Sequence, residues 1–462
     1  MGNIKKKIYH IESNKHRNFL LIIYFLLPLL LIVNFTACKA VKESYNDGIN
    51  QSTNENNNVA PSDSESLDNK INTNSDLANT GSDKEENTQD YENDSSQIDL
   101  SQDTSVDQSL DKQIQQKLSK MTLEEKVAQL FIITPEALTG YKTVVAAGDV
   151  TRDALKKYPV GGIVYFRQNI VDPVQLKTMT KNTRNYVKEM EGLPLFFAID
   201  EEGGTVARIG KNNNFDVKTY TDMTSIGATK DLKKAYEVGA TIGAYLKEYG
   251  LNLDFAPDTD VLTNPNNKVI GNRSFGNDGN LVANMGLEVA KGLSDHSILS
   301  CFKHFPGHGA TEGDTHEGFA YTDKTLKELE RNELIPFQVA AENDIPFIMI
   351  SHISVPKVIG DNTPSSLSKT MVTDILRDQL DYKGIIITDS MSMGAIVNTY
   401  GSKEAVIKAL EAGVDMILMP QNFKESYAAV LKAIEDGVLS EERIDESLIR
   451  ILRIKLTMKI NN

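Results

Sequence analysis

Residues 298–318 gather more acid–base chemistry than a connecting loop requires. Three of the chain's seven histidines, His304, His308 and His316, lie there with Lys303 and Asp314. The stretch opens with an apolar run, 298–302, that reads as a buried strand. Lys303 and His304 stand where that strand should end. Pro306, Gly307, Gly309 and Gly313 rule out a continuing helix, so Asp314 and His316 fall on a loop, two positions apart. A histidine near neutral pKa can donate a proton and take one back, and a neighbouring carboxylate can fix its tautomer. A catalytic loop is the first reading. A metal site of His304, His308, His316 and Asp314 is the second. Phe-Pro-Gly keeps the first two histidines off one helix face, and no His or Cys cluster elsewhere completes a ligand set. The third reading is an inert glycine-rich loop with solvated histidines. No metal and no cofactor are expected.

Side chains of this kind must be carried on a rigid frame, and the rest of the chain supplies one. Apolar, β-branched runs recur at 130–134, 162–166, 195–199, 251–255, 298–302, 346–350, 385–388 and 415–419. Helix-like stretches such as 173–190, 230–249 and 324–342 separate them. Strand–helix alternation predicts a parallel sheet, and eight repeats predict a single closed (β/α)8 barrel. An open doubly wound sheet is the alternative. Barrel enzymes keep their chemistry at the carboxyl ends of the strands. Those positions hold Asp200 with Arg208 beyond it, then Asp254, Asp258 and Asp260 with Arg273 in the following loop. Lys303 and His304, His352, and Asp389 complete the rim. Carboxylates and bases converging there make a polar pocket, although each alone could be a helix cap or a salt bridge.

Three of these segments resemble a known family. Residues 199–208, from Ile199-Asp200-Glu201-Glu202 to Arg208, are the first. Lys303-His304-Phe305-Pro306-Gly307-His308-Gly309 with Asp314 and His316 is the second, and Thr388-Asp389-Ser390-Met391 is the third. Together they look like family 3 glycoside hydrolases, and within it are most similar to the bacterial β-N-acetylglucosaminidases, over about residue 117 to the end. The resemblance implies that Asp389 is the nucleophile and that His316 with Asp314 is an acid/base dyad. It also implies that Asp200, Arg208, Arg273, Lys303 and His304 hold the sugar. Glu201 and Thr205 stand where the family usually has Gln and Arg.

The amino-terminal quarter has a different character. Lys5, Lys6, Lys7, Lys15 and Arg17 precede an apolar run at 19–33, too short for an ordinary membrane span. With small residues before Cys38, this predicts a signal peptide over 1–38, and Phe35-Thr36-Ala37-Cys38 resembles a lipoprotein processing site. An uncleaved signal anchor is the alternative. Residues 39–112 are rich in Asn, Ser, Asp and Glu and carry most of the formal net charge of -15. Such a stretch buries too little apolar area to order itself, so an acidic linker is expected, with the catalytic domain over 113–462. The only cysteines, Cys38 and Cys301, imply no disulfide framework.

Together these readings predict a lipid-anchored enzyme outside the cytoplasmic membrane, monomeric, acting on carbohydrate in cell-wall fragments. Nucleic acid is not an expected partner for so acidic a chain. The competing activities are a phosphorylase or a β-glucosidase on the same fold. From another class, a sugar-binding lipoprotein of a transporter would suit the anchor and linker equally well.

Overall fold

The computed structural model describes residues 100–460 apart from 315–317 and 319. The signal segment, Cys38, most of the acidic linker and His316 lie outside the described residues.

Eight short strands form the centre: β1 Phe131–Ile133, β2 Gly162–Val164, β3 Phe196–Ile199, β4 Leu253–Asp254, β5 Cys301–Phe305, β6 Phe347–Ile350, β7 Ile385–Thr388 and β8 Ile417–Leu418. Every residue in them is buried. Strands covered on both faces need no polar alternation, which explains why they read as unbroken apolar runs. Pairing is parallel in the orders β4-β3-β2-β1-β8 and β5-β6-β7. Parallel bridges Leu253↔Leu299 and Asp258↔Lys303 join β4 to β5, and Ile387↔Met416 joins β7 to β8. The order around the ring is therefore the order in the chain, and the (β/α)8 barrel is closed.

Helices return the chain between strands, and their starts are written in the sequence. Asp172 caps Pro173–Glu189 by accepting the Gln175 N–H, with Pro173 in the first turn. Asp278 caps Gly279–Asp295 through the Leu281 N–H. Helices Leu232–Glu248 and Gly279–Asp295 pack so closely that a Cβ on Gly239 would lie 2.0 Å from the Val289 carbonyl oxygen. At the amino-terminal end of the barrel, helix Glu441–Ile460 inserts the fully buried Lys455. Its ammonium donates to Gln129 Oε1 at 2.7 Å and to the Gly161 carbonyl at 2.8 Å, and sits 4.8 Å from the centre of the Phe196 ring.

Two expectations need correction. The linker was to reach residue 112, but a helix runs over Leu100–Leu118. Leu110, Ile114 and Leu118 recur every fourth residue and pack into the core, and Asp111 pairs with Arg453. A polar average over 39–112 hides that stripe. The helix-like stretch 324–342 is two helices, Leu326–Glu330 and Ile335–Glu342. Pro336 lacks an N–H, and its ring would clash with the Asn332 carbonyl in a continuous helix.

Candidate active site

The polar residues of the barrel mouth are positioned by strand ends. Asp200 follows β3, Asp389 follows β7, and Lys303 and His304 belong to β5 itself. Consecutive strand residues ordinarily face opposite sides. The β5–β6 register shifts between Lys303 and Phe305, and such a bulge re-aims side chains next to a site.

A continuous charge network results. The Arg208 guanidinium lies over the Phe166 ring, 5.3 Å from its centre, and reaches Asp200 Oδ2 at 3.2 Å. Asp200 Oδ1 is 3.2 Å from Lys303 Nζ, which also donates to Glu202 Oε1 at 2.6 Å. Arg273 holds Glu202 through two bonds, Nε to Oε2 at 2.8 Å and Nη2 to Oε1 at 2.7 Å. Its Nε is also 3.1 Å from Asp258 Oδ2, and its Nη2 is 3.5 Å from His304 Nε2. His304 Nδ1 meets Asp260 Oδ2 at 2.6 Å, while Asp260 Oδ1 accepts the His308 N–H at 2.5 Å. Of the five residues expected to hold a sugar, all five thus belong to one network.

Burial governs the protonation states. It would raise the Glu202 carboxyl, but Arg273 and Lys303 outweigh it and hold that acid far below its ordinary range. Asp258, desolvated and offset mainly by Arg273, is pushed up to about 7. His304 is lowered to about 4 by burial and by the facing Arg273, so it is neutral at physiological pH. Burial would also raise Asp389. The groups facing it act the other way, His304 and His352 to the extent that they are protonated and then the Ser390 N–H and Lys303, and the balance lies below the ordinary aspartate value.

Asp389 is half-buried, and its Oδ1 accepts the Ser390 N–H at 2.7 Å. Its own N–H is tied to the Ile350 carbonyl at 2.8 Å. Asp314 is half-buried on the loop after β5, and its carbonyl accepts the Gly318 N–H at 2.9 Å. Backbone bonds between Glu312 and Tyr321, at 3.0 and 3.1 Å, close the base of that loop. His316 lies outside the described residues, so the dyad itself has no geometry here.

Several residues acquire parts that sequence reasoning left blank. Glu202 stood in the first motif with no role, and Asp258 and Asp260 were strand-end acids without partners. His308 orders the turn, with Nδ1 2.9 Å from Thr311 Oγ1. Glu201 explains its own departure from the family pattern. Its carboxylate accepts the N–H groups of Arg208, Ile209 and Gly210 at 2.6, 2.9 and 2.8 Å and the Tyr245 hydroxyl at 2.9 Å. All four partners are donors, and a carboxylate can accept from all of them.

Asp258, Asp260 and His304 place their ligand atoms within 4.8 Å of one another, a spacing a metal could use. The donors are already engaged: His304 Nδ1 faces Asp260, and Arg273 lies against Asp258. These residues fit a guanidinium better than a metal ion.

A closed parallel barrel with carboxylates and cations gathered at the carboxyl ends of its strands is the frame on which barrel enzymes carry their chemistry. The chain belongs to glycosyl hydrolase family 3: residues 122–454 match the glycosyl hydrolase family 3 N-terminal domain. It is 33% identical over 327 residues to beta-hexosaminidase A of Pseudoalteromonas piscicida, covering 66% of this chain and 54% of that protein. A beta-hexosaminidase of Chromobacterium violaceum is 32% identical over 291 residues, 63% of this chain and 79% of its own. The solved family 3 β-N-acetylglucosaminidase from Paenibacillus sp. str. FPU-7 superposes with a TM-score of 0.69 at 35% identity. That match covers 74% of this chain and 64% of the other. A family 3 glycosyl hydrolase from Mycobacterium smegmatis gives a TM-score of 0.64 at 30% identity, over 73% of this chain and 98% of the other. The chain thus spans about half the length of the Pseudoalteromonas protein.

Proposed function

We propose that this chain is a retaining exo-β-N-acetylglucosaminidase that removes terminal β-linked N-acetylglucosamine from cell-wall fragments. The observation that carries this reading is Asp389: an ionised carboxylate on a pinned strand end, facing Lys303 and His304. The named activities of the relatives support it. Asp389 attacks the anomeric carbon while His316 protonates the departing oxygen, so the glycosidic bond breaks as an ester to the enzyme forms. Asp314 stabilises the imidazolium as His316 gains its proton. In the second step neutral His316 takes a proton from water, the hydroxyl attacks the same carbon, and Asp389 leaves as carboxylate. Asp200, Arg208, Arg273, Lys303 and His304 hold the sugar's hydroxyls. Two inversions at one carbon retain the β configuration.

We further propose lipidation at Cys38, which places the monomeric barrel on the outer face of the cytoplasmic membrane at the end of an acidic tether. Replacing Cys38 by Ser should release the protein or block its maturation without affecting the barrel's chemistry. A Cys38→Ser protein that stays membrane-bound at wild-type size favours a signal anchor instead.

The central test uses a fluorinated, slowly turned-over N-acetylglucosamine analogue with a good leaving group. It should label the peptide containing Thr388-Asp389-Ser390, and proton NMR should find the β anomer as first product of a chromogenic substrate. Label on another residue, β product with no label, or α product removes Asp389 from this role. The last outcome would require catalytic groups roughly 6.5–9.5 Å apart, with water between them.

A further inference from the structure

His352 stands at the end of β6, fully buried, and the glycosidase mechanism above does not use it. Its Nε2 lies 3.0 Å from the Ser390 carbonyl oxygen, and the Asp389 carbonyl also faces it. A carbonyl can only accept, so Nε2 carries the proton. Nδ1 therefore presents a lone pair, and it lies 2.7 Å from the hydroxyl of Ser366, which donates to it. Burial lowers the imidazole pKa and keeps this neutral tautomer.

Ser366 is itself immobile. It is fully buried in the short turn Ser365–Leu367, and its N–H donates to the Ser351 carbonyl at 3.1 Å. Ser365 binds the Ile353 carbonyl through its N–H at 2.9 Å and its hydroxyl at 2.8 Å. The turn is thus stitched to the chain on both sides of His352, and the ring has one orientation available.

That ring completes a set of restraints around Asp389. The Asp389 N–H is held by the Ile350 carbonyl on β6, and the Met391 N–H by the Leu418 carbonyl on β8 at 3.0 Å. Between them lie the two peptides whose carbonyls face His352. The first of these peptides supplies the Ser390 N–H that orients the Asp389 carboxylate at 2.7 Å. Without the imidazole donor, those peptides could rotate and carry the carboxylate with them.

We infer that Ser366, His352 and the Ser390 carbonyl form a positioning relay that aims the Asp389 carboxylate for attack. The inference rests on Asp389 being the nucleophile. Misplacing a reacting group by about 1 Å costs on the order of 10²-fold in rate. The relay should therefore be read in the rate of forming the glycosyl-enzyme and leave KM for a small substrate nearly unchanged.

The test measures the rate at which the fluorinated analogue labels Asp389, together with thermal midpoints, because its leaving group needs no protonation. His352→Met fills a similar volume without a donor and should slow labelling by roughly 10²-fold. His352→Gln restores an N–H donor and should recover most of that loss. Ser366→Ala removes the hydroxyl that anchors the other ring nitrogen and should slow labelling by roughly tenfold. A merely structural role predicts lower midpoints with unchanged labelling rates, and a folded His352→Met protein that labels at wild-type speed overturns the relay. Glutamine behaving no better than methionine overturns it as well. Should the methionine variant not fold, wild-type labelling by Ser366→Ala decides against it. A wild-type label on a residue other than Asp389 is a different failure, since it removes the nucleophile and the relay with it.

Discussion

Glu202 and Arg273 meet in a two-bond pair at 2.7 and 2.8 Å, and the Glu202 oxygen that accepts Arg273 Nη2 also accepts Lys303 Nζ at 2.6 Å. One buried carboxylate therefore sets the separation of two cations in the pocket. Glu202→Gln should leave Arg273 and Lys303 facing each other with their shared counter-charge gone. Breaking a buried pair by removing one partner costs about 3–5 kcal/mol, and urea unfolding at neutral pH should show a loss of that order. A loss within about 0.5 kcal/mol, the range of ordinary surface substitutions, would mean that Asp200 and Asp258 supply enough counter-charge alone.

If Asp389 and His316 act as proposed, their loss should separate by substrate. Asp389→Ala should abolish turnover of every glycoside, because no glycosyl-enzyme can form. His316→Ala should impair sugars with poor leaving groups by roughly 10²- to 10⁴-fold, yet spare the first step on activated aryl glycosides. Asp314→Ala should act through His316, so the double variant should be little worse than His316→Ala alone. Steady-state and burst kinetics on both substrate classes check this, and equal losses on the two would make His316 structural.

How much of this site can be read from sequence depends on how local each fact is. Asp200, Lys303, His304 and Asp389 were legible because each follows directly on an apolar run, within a few residues. Their partnerships were not. Glu202 and Arg273 are 71 positions apart, and Asp260 and His304 are 44 apart. They meet only because neighbouring strands of a closed barrel end at one mouth. His352 was visible as a strand-end histidine, but the Ser366 that anchors its ring returns from a later loop. Helix Leu100–Leu118 escaped for another reason: Leu110, Ile114 and Leu118 form a narrow stripe in a polar segment, and composition averages it away.

That helix makes a prediction about where the folding unit begins. A chain starting at residue 113 loses Leu110 and the Asp111–Arg453 pair, leaving part of helix Glu441–Ile460 uncovered. The exposed pair contributes little, whereas burying an aliphatic side chain contributes about 1.5–3 kcal/mol. Denaturant unfolding of chains starting at 99 and at 113 should differ by about 1–3 kcal/mol in favour of the longer, with equal kcat on a small substrate. Equal stability would show that residues 99–112 decorate the domain without supporting it.

The last prediction concerns pH, and Asp258 isolates it. This carboxyl is fully buried, faces Arg273, Asp260, Glu202 and His304, and is pushed up to about 7, against 3.8 for an ordinary aspartate. From pH 4 to pH 7 the unfolded chain ionises here while the folded chain keeps its proton. The folded state then binds more protons, so this group's contribution to stability falls as pH rises through that window, by up to about 1.4 kcal/mol per pH unit. His304 works in the opposite direction. Its pKa is lowered to about 4, so between pH 6.5 and pH 4 the unfolded chain gains a proton that the folded chain refuses, and stability falls as pH falls. The two slopes oppose each other over most of the same range. Asp258→Asn keeps the shape of the protonated acid and removes its titration. Relative to wild type, the variant should therefore gain roughly 2–4 kcal/mol on going from pH 4.5 to pH 7.5, and alone should show the acid lability that His304 confers. Urea unfolding of both proteins across that range measures the difference. Parallel stability curves would mean that Asp258 is ionised throughout and that Arg273 compensates its burial fully.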